Sequence, residues 1–161
     1  MDQATHVHTY RSQLSWEGST GAGYEHYDRR HRIAMPPADG ALELSSDPAF
    51  RGDAALANPE VLLLAAASSC QLLSFLAIAA RSGVEVLSYS DQAEAVMPED
   101  DPPMRITRIV LRPRIVVAEG SRLERVERIV HKAHEECYVA NTLAAEMVIE
   151  PAIEVAAPRV S

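Results

Sequence analysis

Two cysteines are the residues with the most chemical potential in this 161-residue chain. Cys70 lies among Ala and Ser, and Cys137 follows a stretch rich in charge. Two readings are open for them. Free cysteines are often small buried hydrophobes. A pair can also be redox-active: a thiolate attacks an electrophile such as a peroxide O–O bond and becomes a sulfenic acid, and a second thiol condenses with it to a disulfide. That chemistry needs a thiol held near ionisation, hence a cation close by. Cys70 falls in the middle of an apolar helical stretch, far from any helix N-terminus, so an arginine must reach it from elsewhere in the fold.

Other chemistries have weaker support. His131, His134 and Cys137 are spaced i, i+3, i+6, which turns the third residue well away from the first on a helix. No CxxC or HExxH pattern accompanies them, so no metal site is expected. There is no GxSxG for a serine hydrolase, and no GxGxxG or GxxxxGK[ST] for a nucleotide, so no cofactor is expected. Residues 105–132 carry net charge +5 against −13 for the rest. No aromatic interleaves those arginines, and Glu119, Glu124 and Glu127 interrupt them. A solvated sheet face beside a salt-bridged helix is the better reading.

Composition agrees. The formal net charge of −8 argues against a nucleic-acid partner. Two cysteines make no disulfide scaffold. With 47% hydrophobic residues and only 17 Gly and Pro, the chain reads as one globular domain over 1–161. The start, MDQATHVHTYRSQ, has no secretory pattern, so a reducing cytoplasm is the expected location.

The elements that must position the cysteines follow from periodicity. Alternation predicts strands near Thr5–Glu17, Tyr24–Ala34 and Ala41–Leu44, with a turn over Gly18–Gly23. Asn58-Pro59-Glu60 then announces a helix: an Asn cap, Pro at the first position, an acid in the first turn. It should run to about Ser82 and stop at Gly83, roughly 36 Å in all. Val61 to Ala80 contains no charge, near the length of a bilayer span. Its Ser68, Ser69, Gln71 and Ser74, and its many small residues, favour a buried helix of a soluble protein over a membrane span. Apolar on all sides, it needs cover on all sides, more than one such chain supplies. A dimer built around this helix is expected.

Strands at Val86–Met97 and Arg105–Val117 should flank an acidic tip, Pro98–Pro103. On the second, Ile109, Leu111, Pro113, Ile115 and Val117 share one face and Arg108, Arg112 and Arg114 the other. Pro113 suggests an edge position. Ser121 and Glu124 read as a capping box. Leu123, Val126, Ile129, Val130, Ala133 and Cys137 form the stripe of a second helix. A short turn or helix at Asn141–Ala145 and a strand at Met147–Val155 close the chain. The order βββ-α-ββ-α-β indicates α+β.

Two segments resemble a known family. Asn58 to Cys70, NPEVLLLAAASSC, is similar to the helix start of the OsmC and organic hydroperoxide resistance (Ohr) proteins, and Ala133 to Leu143, AHEECYVANTL, resembles their second signature. The resemblance covers roughly residues 5–156. It implies an OsmC-like fold in an intertwined homodimer, with long central helices at the interface and each active site built from both chains. It implies a thiol peroxidase that reduces organic hydroperoxides and is itself reduced by a dithiol donor, lipoyl-type or thioredoxin-like. Cys70 would be the peroxidatic thiol and Cys137 the resolving one, joined in an intramolecular disulfide. Glu60 would hold the guanidinium that activates the thiolate. Arg51, in Phe50-Arg-Gly-Asp53, is the arginine chosen; Arg29, Arg30 and Arg32 are the alternatives. Tyr138 stands where the family usually has Pro. The competing reading is a binding or stress-response protein on the same fold without efficient turnover.

Overall fold

The computed structural model describes residues 6–157, which divide into two compact units, one up to Val61 and one from Leu62 onward. In the first unit, β1 (Gln13–Ser15), β2 (His31–Ala34) and β3 (Ala41–Leu44) form an antiparallel sheet in that order. The two strands expected before residue 35 are much shorter than their sequence alternation suggested. Residues 20–27 are turn, where Arg29 bonds the carbonyls of Tyr24 and Tyr27 and stacks on both rings. A 3₁₀ turn (Pro48–Phe50) ends at Arg51, whose φ of 67° lies in the left-handed region. Gly52 is required there: a Cβ would stand 1.6 Å from the Ser46 carbonyl oxygen.

The long helix α1 runs Pro59–Arg81. Its start is the one the sequence announced: Asn58 Oδ1 accepts from the Val61 N–H at 2.8 Å, and Glu60 sits in the first turn. Gly83 ends it with φ 69°, and the Val84 N–H reaches the Ala79 carbonyl at 2.9 Å.

In the second unit each expected long strand is broken in two. The elements are β4 (Val86–Asp91), β5 (Glu94–Val96), β6 (Arg108–Leu111), β7 (Pro113–Val117), β8 (Glu146–Ile149) and β9 (Ala152–Val155). They build two three-stranded mixed sheets, β4-β7-β9 and β5-β6-β8. All three breaks fall at one level, and the cause is local. Pro113 and Pro151 have no N–H to give a ladder. The Arg112 N–H goes instead to the Asp91 carboxylate at 2.7 Å, whose other oxygen takes the Ser68 hydroxyl of α1.

Parity survives the break. Ile109, Leu111, Ile115 and Val117 are buried, while Arg108, Arg112 and Arg114 pair outside with Glu146, with Glu94 and Glu150, and with Glu154. Pro113 is not at an edge: it opens the central strand β7 and is buried, tolerated because it is the strand's first residue.

Helix α2 (Leu123–Glu136) packs Val126, Ile129, Val130 and Ala133 against Phe75 and Ala79 of α1 and Ile115 and Val117 of β7. The Ser121–Glu124 capping box does not form. Arg122 takes the cap position without a side-chain bond, and the Ser121 N–H closes a turn onto Ala118. The helix ends before Cys137, and a 3₁₀ turn (Ala140–Thr142) follows, overlapping the short turn or helix expected at Asn141–Ala145.

Within α1 only Ala67, Gln71, Phe75 and Ala79 are buried, a single line at i, i+4. Leu73 is 63% exposed, with Val61, Leu63 and Leu76 exposed beside it. The helix is long and apolar enough to cross a membrane, with a mean hydropathy of 2.1 over 18 residues.

Candidate active site

Cys70 projects from the middle of α1, half-buried, and Cys137 is the first residue after α2, fully buried. Sixty-seven positions apart in sequence, they come together in the second unit, close enough for Cys70 to influence the ionisation of Cys137. Both are free thiols.

The turn after α2 makes this possible. Cys137 leaves the helix with extended backbone (φ −71°, ψ 113°), its N–H still on the His134 carbonyl at 3.2 Å. The chain then folds back, and its freed amides serve the sulfurs. The Val139 N–H points to Cys70 Sγ at 3.5 Å and the Ala140 N–H to Cys137 Sγ at 3.4 Å.

Burial pushes the Cys137 thiol up to about 11, and the neighbouring Cys70 pushes in the same direction; the Ala140 amide offsets only part. Cys137 therefore stays protonated at neutral pH. Charge developing on Cys70 Sγ meets the Val139 N–H as donor, with the Cys137 thiol close by. Sequence reasoning missed the Val139 amide, because a backbone donor leaves no mark in residue type.

Cys70 opens on a cleft of about 730 Å³. Ala66, Leu73 and Ala77 line its α1 side, and Glu136, Tyr138 and Asn141 its other side. Tyr138, in the position noted as unusual, is 82% exposed at this rim. Arg81 lines the same cleft, eleven residues along α1 from Cys70.

The remaining expected site residues lie in the first unit. Arg51 forms an exposed ion pair with Glu25 at 2.5 Å, and Arg30 an exposed pair with Asp28. Arg32 is an exposed residue of β2. Arg29 is held between carbonyls and aromatic rings, its guanidinium carbon 3.9 Å from the Tyr27 ring centroid. It lines a cavity of about 440 Å³ together with Glu60, Trp16, Tyr27, His31 and Phe50. So Glu60 shares a cavity with Arg29, while Arg51 is engaged with Glu25.

Residues 52–152 match the family model of OsmC-like proteins. Among solved structures, the chain is similar to an OsmC-like protein of unknown function from Vibrio cholerae, with 28% identity over 90% of this chain and 99% of that one, and a TM-score of 0.81. It is also similar to an organic hydroperoxide resistance protein OsmC from Legionella pneumophila (18% identity, 94% of this chain and 100% of that one, TM-score 0.70). A third, an organic hydroperoxide resistance protein from Elizabethkingia anophelis, shares 15% identity over 94% and 99% of the two chains, also at TM-score 0.70. No curated protein matches the chain.

Proposed function

The chain belongs to the family of OsmC-like proteins, and from that footing we propose that it is a cysteine-based peroxidase reducing organic hydroperoxides, with Cys70 peroxidatic and Cys137 resolving. The observation that carries this reading is the closeness of two thiols so distant in sequence, served by successive amides of one turn, with one of them facing an open cleft.

The chemistry runs as follows. The Cys70 thiolate attacks the peroxide; an S–O bond forms, the O–O bond breaks, and the alkoxide leaves as alcohol after taking a proton. Cys137 gives up its proton and attacks the sulfenic sulfur; the S–S bond forms and hydroxide leaves as water. An external dithiol, lipoyl-type or thioredoxin-like, then reduces the disulfide. The protonated state of Cys137 suits this order, because a protonated thiol is not the nucleophile of the first step.

Activation needs a guanidinium clamped by a carboxylate. Glu60 is the carboxylate. The shared cavity favours Arg29 as its partner, and Arg51 stands as the alternative. Ten residues of one helix separate Glu60 from Cys70, a rise of about 15 Å. A homodimer that pairs two α1 helices along their exposed apolar faces removes that gap, because the partner subunit's Glu60 can then stand beside Cys70. It also covers Leu73 and Leu76, which favours burial against a second copy over a membrane.

Titrating thiols after one equivalent of cumene hydroperoxide tests the proposal. Both thiols should disappear in the native protein, while the single thiol left in Cys70→Ser should persist; unchanged thiols in the native protein refute it. In that event a binding or stress-response role on the same fold is left, the reading favoured if Arg51 is the family arginine, since its guanidinium is already engaged with Glu25.

A further inference from the structure

The residue directly after Cys70 is a glutamine with no exposure at all. Its neighbours on the buried line of α1 are Ala67, Phe75 and Ala79, so Gln71 is the polar member of an apolar stripe. An amide buried in such a place is costly unless it is fully bonded. Gln71 is not: its Nε2 donates to the Val130 carbonyl of α2 at 3.0 Å, but its Oε1 has no partner among the described residues. A Leu or Met of similar volume would bury the same stripe without an orphan acceptor, an exchange that is near neutral or stabilising. Fold stability therefore does not account for the glutamine.

What the bond joins does account for it. One end is the residue adjacent to Cys70. The other is a carbonyl two helical turns before Cys137. The rest of this helix contact is apolar, Phe75 and Ala79 against Val126, Ile129, Val130 and Ala133, and such surfaces tolerate small slides of one helix along another. A disulfide does not. Its S–S bond of about 2.05 Å and narrow Cβ–Cβ range demand one register. A directional hydrogen bond at a fixed rung supplies it.

We propose that Gln71 is a positioning residue for the dithiol: its bond to Val130 holds α2 in register on α1 so that Cys137 Sγ meets Cys70 Sγ. The proposal adds to the peroxidase reading, but its first test does not depend on it.

The full-length Gln71→Leu and Gln71→Met proteins are equilibrated with mixtures of reduced and oxidised glutathione. The protein dithiol plus one glutathione disulfide gives the protein disulfide plus two glutathiones. In both variants the equilibrium constant for the Cys70–Cys137 disulfide should fall about tenfold, roughly 30 mV for a two-electron couple, while Tm stays level or rises. The rate of Cys70 alkylation in each variant combined with Cys137→Ser should stay within about twofold of the Cys137→Ser parent. With cumene hydroperoxide, sulfenic acid formation should keep its rate and disulfide closure should slow. An unchanged equilibrium constant overturns the proposal. So does a fall matched by lost thermal stability, or failure of both variants to fold, either of which makes Gln71 a packing residue only. Failure of the peroxidase reading looks different: the native protein ignores hydroperoxide while the glutathione equilibrium still responds to residue 71.

Discussion

Replacing Cys137 with alanine should remove a specific part of the alkaline destabilisation of this protein. The Cys137 thiol is raised from 9.0 to about 11 by burial and by the neighbouring Cys70. In the unfolded chain it ionises near its ordinary value. Between those two pH values the folded state binds more protons than the unfolded state, so stability falls as pH rises. The contribution is fully present below about pH 9 and is lost as pH passes through about 11. At 1.36 kcal/mol per pH unit the whole effect is about 3 kcal/mol, of which about 2 kcal/mol is gone by roughly pH 10.5. The assay is urea unfolding of both fully reduced proteins at pH 8 and about pH 10.5. The native protein should lose about 2 kcal/mol more than Cys137→Ala over that interval. Groups away from the dithiol that titrate there, including Tyr89, whose hydroxyl is also raised by burial, are common to both proteins and cancel. Equal losses would refute the reasoning, as would iodoacetamide labelling Cys137 as fast as Cys70 at pH 8.

Two further predictions concern the proposed site. Arg29→Lys keeps the charge but loses the fork that a carboxylate binds; it should lower the second-order rate of Cys70 oxidation by cumene hydroperoxide about 100-fold, whereas Arg51→Lys should change it less than threefold. Stopped-flow measurement of both decides between the two arginines, and the reverse pattern assigns the role to Arg51. Leu73→Asp places a charge on the exposed apolar face of α1 without touching the buried line. Sedimentation should find the native protein dimeric and this variant monomeric at micromolar concentration, and a dimeric variant would move the interface elsewhere.

Local signals were the legible ones. Asn58, Pro59 and Glu60 mark the start of α1, and Gly83 its end, because caps and stops act within a few residues. The alternation from Ile109 to Val117 marks a buried face and an arginine face even though the strand is broken between them. The breaks themselves were not legible. They depend on Asp91 meeting the Arg112 amide and Ser68, residues from three separate elements. Pro113 misled for a related reason: its missing N–H excludes a central ladder position in general, but not the first residue of a strand. The Ser121–Glu124 pattern was outcompeted by the turn that links Ser121 to Ala118.

The amino-acid order alone determined the two helices, the strand faces, the α+β class and the two cysteine signatures, since each of these follows from interactions between near neighbours. Tertiary structure alone decided that Cys137 meets Cys70, that the Val139 amide faces the Cys70 sulfur, and that Glu60 shares a cavity with Arg29 while Arg51 turns to Glu25. The reason is physical: a thiol's burial, its donors and the charges around it are supplied by segments tens of residues away, and no spacing along the chain encodes where those segments come to rest.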